Sequence, residues 1–138
     1  MRVQLVNCQR HDPVPLGWLA RVARRAAKRL GIRRRGIVAV TFLNSRAMRR
    51  VNAQFLRHRG LTDVVCFRYD REPIVGEILV SPACARRYAA AHGLSYRQEL
   101  ARYVIHGLLH WKGHKDETAA QRQTMRMMED KLLAQCTT

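Results

Sequence analysis

Four strand-like segments interleaved with about five helical ones mark this chain as an α+β protein, and three observations carry that reading. Residues 37–43, Ile-Val-Ala-Val-Thr-Phe-Leu, form a β-branched run of strand length. Residues 16–30 set Leu16, Leu19, Val22, Ala23, Ala26, Ala27 and Leu30 on one helical stripe with arginines opposite. Near the C-terminus a long apolar helical pattern carries His106-Gly-Leu-Leu-His110 and ends at Gly113. With 138 residues, 47% of them apolar, residues 1–138 suit one domain with a core of its own.

In chain order, Val3 to Asn7 alternates as a first strand, at a sheet edge. The arginine-backed helix follows and is closed by Gly31; the buried strand 37–43 comes next. Asn44 or Ser45 can cap a helix from Arg46 to about Leu56, with Met48, Val51, Asn52 and Phe55 facing inward. Residues 63–69 and 76–81 pattern as strands. Pro82 opens a helix that runs to His92 and stops at Gly93. Ser95 with Gln98 suits a capping box for the long histidine-bearing helix. A last helix from Thr118 to about Gln135 repeats Met125, Met128 and Leu132 at core spacing.

The chemistry concentrates around the long helix. His106 and His110, four residues apart, project from one helix face and can reach a single metal ion. Gly113 permits the chain to turn back, and Asp116 stands ten residues after His106. This is the register of H-E-x-x-H-x-x-G-x-x-H, with Gly107 in place of the base Glu and Asp116 in place of the last His. Zinc takes imidazole nitrogen and carboxylate oxygen, and catalytic sites use three protein ligands, so His106, His110 and Asp116 are the expected metal set. His114, just after the glycine, is the rival third ligand; a solvated loop histidine is the alternative for it.

Twenty-six Lys and Arg against ten Asp and Glu give a formal charge of +16, which implies a polyanionic partner or a membrane surface. No segment has the apolar length of a transmembrane helix, and the first residues lack the apolar run of a signal peptide, so a cytoplasmic protein is expected. Cys8, Cys66, Cys84 and Cys136 are scattered singly, as reduced thiols are, with no C-x-x-C pair. Residues 56–62 read as a basic loop whose Arg57, His58 and Arg59 can present several phosphate donors together, and Lys112 is a further candidate for contact with a polyanion.

The segment Thr62-Asp63-Val64-Val65-Cys66-Phe67, the Gly76-Glu77-Ile78 strand and His106-Gly-Leu-Leu-His110-x-x-Gly113, in that order, resemble the YbeY family of metal-dependent endoribonucleases over nearly the whole chain. The resemblance implies a small mixed four-stranded sheet flanked by about five helices, with the metal site on a long helix. It also implies one zinc ion per chain and single-strand-specific cleavage in 16S ribosomal RNA 3′-end maturation and ribosome quality control. Ribosomal RNA, and the small ribosomal subunit with its proteins, are the implied partners. Two departures stand out. The family's last histidine column holds Asp116 here, and the column of an active-site arginine holds Leu56, with Arg57 and Arg59 nearby to take its catalytic role. A carboxylate ligand makes the site less cationic than three histidines would.

Three functional classes follow. The first is a metal-dependent ribonuclease, in which an arginine neutralises charge developing on the phosphoryl oxygens. The second is a zinc-containing RNA-binding or ribosome-assembly factor with little catalysis. A metalloprotease is third, and Gly107 argues against it because glycine cannot act as the base.

Overall fold

Alternation in residues 37–42 decides which side of the sheet becomes the main core. Val38, Val40 and Phe42 are fully buried, while the residues between them are partly exposed. A computed structural model describes residues 1–55 and 63–138. Its elements are β1 (Arg2–Asn7), α1 (Leu16–Arg29), β2 (Ile37–Phe42), α2 (Ser45–Phe55), β3 (Val64–Arg68), β4 (Ile74–Val80), α3 (Pro82–His92), α4 (Tyr96–Lys112) and α5 (Ala119–Cys136). The sheet runs β1-β2-β4-β3, with β1, β2 and β4 parallel and β3 antiparallel to β4. It is the small mixed sheet expected, and β1 lies at its edge.

Register pairs Val40 with Ile78 and Phe42 with Val80, so one face of β2 and β4 is continuously apolar. Against it pack Leu19, Val22 and Ala26 of α1, Leu100, Val104 and Leu108 of α4, and Met125 and Leu132 of α5. The opposite face carries Val65 and Leu79, covered by Met48 of α2, with Val51 and Phe67 beside them. Phe55 departs from the inward position expected of it. It is 58% exposed, because it closes α2 at the rim of β3 and meets the Phe67 ring edge-on at 5.5 Å.

Two glycines set the path of α4. Gly107 lies against β4: a Cβ there would meet Ile78 Cγ2 at 2.4 Å. Gly113, at φ +117°, ends the helix, and its N–H donates to His110 O at 2.9 Å. The last turn is pinned from three sides. Trp111 Nε1 donates to Val75 O (2.8 Å), Arg68 Nη1 donates to Trp111 O (3.1 Å), and Lys112 Nζ donates to Leu30 O (2.5 Å). The helix end next to His110 is thus tied to β4, β3 and the end of α1.

Candidate metal centre

Ser95 starts α4, its hydroxyl accepting from Gln98 N at 3.3 Å, and no proline interrupts the helix before Gly113. His106 and His110 therefore lie one turn apart on one face, ring centroids 4.5 Å from each other. After Gly113 the chain turns back over the helix. Asp116 Oδ2 comes to 3.1 Å from His110 Nε2 and 3.5 Å from His106 Nε2.

The return is short and held at its far end. Thr118 caps α5 in a reciprocal box: its hydroxyl accepts from Gln121 N (3.1 Å), and Gln121 Oε1 accepts from Thr118 N (3.1 Å). Arg122 Nη1 adds a bond to Glu117 O at 3.0 Å.

One donor atom from each of His106, His110 and Asp116 lies within 4.8 Å of the others. Ligand atoms about 2.0–2.1 Å from a tetrahedral ion stand roughly 3.3 Å apart. The two distances to Asp116, 3.1 and 3.5 Å, straddle that value. Two imidazole nitrogens and a carboxylate oxygen also form a donor set that suits zinc. The residues fit a divalent ion.

His114, the rival ligand, lines a separate hollow with Lys115, Gln121 and Met128. Lys112 turns its ammonium to the carbonyl of Leu30. Arg57, His58 and Arg59 fall within residues 56–62, outside the described residues.

Two of the three donors, His106 and Asp116, line a cleft of about 250 Å³ between α4 and α5, whose walls include Asp63, Tyr88, Tyr103 and Arg126. Part of its lining is a charged network that sequence reasoning missed. Glu129 of α5, 5% exposed, accepts from His106 Nδ1 at 2.5 Å through Oε2 and from Arg102 Nη1 at 3.0 Å through Oε1. Arg102 also donates to Asp130 Oδ1 at 2.7 Å and lies 4.0 Å from Glu99 Oε2. A signal was present in the sequence: Glu129 falls on the same stripe as Met125 and Leu132, where a charge has to find a partner.

Burial of the His106 ring works against its cation. The hydrogen bond and charge of Glu129, with Asp63 and Asp116 behind them, more than offset that, and the imidazole sits above its ordinary value. Burial pushes the Glu99 carboxyl up, while Arg102 and Arg126 pull the other way.

Comparison with known proteins follows the same lines. A family model described as endoribonuclease YbeY matches residues 10–137. A protein named endoribonuclease YbeY from Bacteroides thetaiotaomicron is 34% identical over 118 residues, covering 85% of this chain and 82% of that one. Its namesake from Flavobacterium johnsoniae is 33% identical over 100 residues, 72% of each chain. A solution structure of a Thermotoga maritima protein superimposes with a TM-score of 0.64 at 20% identity, covering 96% of this chain and 90% of that one, a likeness of fold. Among the described residues no helix is long and apolar enough to cross a membrane.

Proposed function

Because this chain belongs to the YbeY endoribonuclease family, we propose that it cleaves single-stranded RNA in the cytoplasm, using one zinc ion held by His106, His110 and Asp116. Its target in this reading is the 3′ end of 16S ribosomal RNA, in maturation and in ribosome quality control on the small subunit. The convergence of three ligand atoms, two of them from residues lining a cleft, carries the reading. When bound, such an ion supplies Lewis acidity at a phosphoryl oxygen and acidifies a neighbouring water.

The chain's own residues do the rest. His106, His110 and Asp116 bring their donor atoms together, His106 and Asp116 from the wall of the cleft. Arg126, exposed on α5 along the same cleft, is placed to neutralise a phosphate drawn in beside them. Arg57 and Arg59, which precede the cleft residue Asp63 in the sequence, are the further cations of this reading. Gly107 faces Ile78 of the sheet and brings no acid or base to the cleft, which disfavours peptide hydrolysis. A cleft of about 250 Å³ admits a phosphate with part of its nucleoside. An A-form duplex holds its phosphates on a rigid frame, whereas an unpaired strand can bend one inward.

The test compares wild type with His110→Ala on one labelled RNA carrying a hairpin and a tail. Metal-dependent cuts confined to the tail, absent from the variant, are expected. Equal cleavage by both proteins would overturn the enzymatic reading.

The carboxylate-rich cleft favours a second reading, an RNA-binding or ribosome-assembly factor with little catalysis. Asp63, Glu99, Asp116 and Glu129 all line it and offset the ion's charge. Chelation separates the two. The nuclease loses cleavage while keeping salt-sensitive binding; the assembly factor shows binding alone throughout.

A further inference from the structure

We propose that Glu129, itself held by Arg102, is a positioning residue: it fixes His106 in the tautomer and ring orientation that turn Nε2 toward Asp116. The inference rests on the metal-centre reading above and adds to it a residue from a different helix.

A carboxylate on the buried stripe of α5 is costly unless both oxygens are satisfied, and a single arginine could do that with a forked contact. The observed arrangement is different. Arg102 Nη1 reaches Oε1 at 3.0 Å and sends its other nitrogen to Asp130 Oδ1 at 2.7 Å. Oε2 is left for His106 Nδ1 at 2.5 Å. An ionised carboxylate accepts and never donates, so the neutral ring must carry its proton on Nδ1. The lone pair then lies on Nε2, the nitrogen 3.5 Å from Asp116 Oδ2. A hydrogen bond on the far nitrogen also stops the ring from flipping, and it raises the basicity of the ligating nitrogen. With Glu99 at 4.0 Å from Arg102, the guanidinium is anchored to α4 as well as α5, so the carboxylate cannot swing away from the imidazole.

The test has two independent readouts. In the metal-free chain, nitrogen-15 shifts of His106, followed with rising pH until the ring has lost its charge, report the tautomer. Wild type should show the proton on Nδ1; a proton on Nε2 would overturn the inference without need of any variant. Glu129→Gln keeps the volume, but its amide can accept from only one of its two partners. Zinc or cobalt(II) affinity should fall about 10- to 100-fold in this variant, with a changed cobalt visible spectrum and unchanged helical circular dichroism. Affinity equal to wild type would overturn it. If wild type bound neither ion, or His110→Ala bound as tightly as wild type, the metal-centre reading would fail instead, and the tautomer measurement would still judge Glu129.

Discussion

Gly107 and Ile78 meet so closely that a single added carbon on Gly107 would lie 2.4 Å from Ile78 Cγ2. The helix bearing the histidines is therefore seated on the sheet at a glycine, between its two candidate ligands in sequence. Gly107→Ala should destabilise the fold by about 1–3 kcal/mol through overpacking, against the usual helical gain from alanine. Because α4 would have to lift, metal affinity should fall with stability. Urea titration and metal binding on the same variant check this; a stabilised protein with intact binding would mean that Ile78 yields freely.

A second expectation concerns the third ligand. Asp116 Oδ2 approaches both imidazoles, while His114 lines another hollow. Asp116→Ala should lose stoichiometric zinc, and His114→Ala should keep it. Metal analysis of the purified proteins decides, and the reverse pattern would reassign the site.

The pH dependence of the metal-free protein follows from His106. Its pKa is raised on folding by Glu129 against the opposing effect of burial. A raised folded pKa means stability that is fully present below the unfolded value of about 6.5 and lost as pH rises through the folded one. With a chelator present, the wild type should therefore be favoured over His106→Ala more at about pH 6 than at about pH 9. Parallel urea curves at the two pH values measure the difference. An advantage that grew with pH would show that burial dominates the site.

Much of the architecture was legible because it is locally encoded. Asn44 and Ser95 cap helices through side-chain oxygens, Gly93 and Gly113 end them at positive φ, and β2 alternates cleanly. Thr118 is readable as the last helix's start, and Gln121, three residues on, completes its box. The order of the sheet was not legible strand by strand. That β4 pairs with β2 on one side and β3 on the other depends on non-local contacts that no short window contains. β4 also begins two residues before the expected Gly76, since Ile74 pairs with Ile37 across a register shift. In the site, the i, i+4 histidines and the glycine turn were visible in one stretch. Glu129 lies 23 residues beyond His106, and only the packing of α5 on α4 brings the two together.

The last prediction concerns how RNA is held. Two sets of cations are candidates: Arg126 on α5, which lines the cleft with His106 and Asp116, and Arg57 with Arg59, in the segment outside the described residues. With a formal charge of +16, the chain will bind polyanions through many surface arginines, so affinity alone cannot locate the track. The salt dependence can. Each phosphate contact on a single strand contributes about 0.7 to the slope of log affinity against log salt. Arg126→Glu should lower that slope by about 0.7 and slow cleavage. Arg57→Glu with Arg59→Glu should lower it by about 1.4 if both touch phosphate. Arg86→Glu makes a useful reference: it removes an equal charge, but Arg86 is paired with Asp12 at 2.5 Å and is absent from the cleft wall. If the Arg86 variant lowered the slope and the cleavage rate as much as Arg126→Glu, binding would be diffuse and the α5 wall would have no special part in it. A slope change in the Arg126 and Arg57/Arg59 variants that leaves Arg86→Glu near wild type would trace the strand across the cleft.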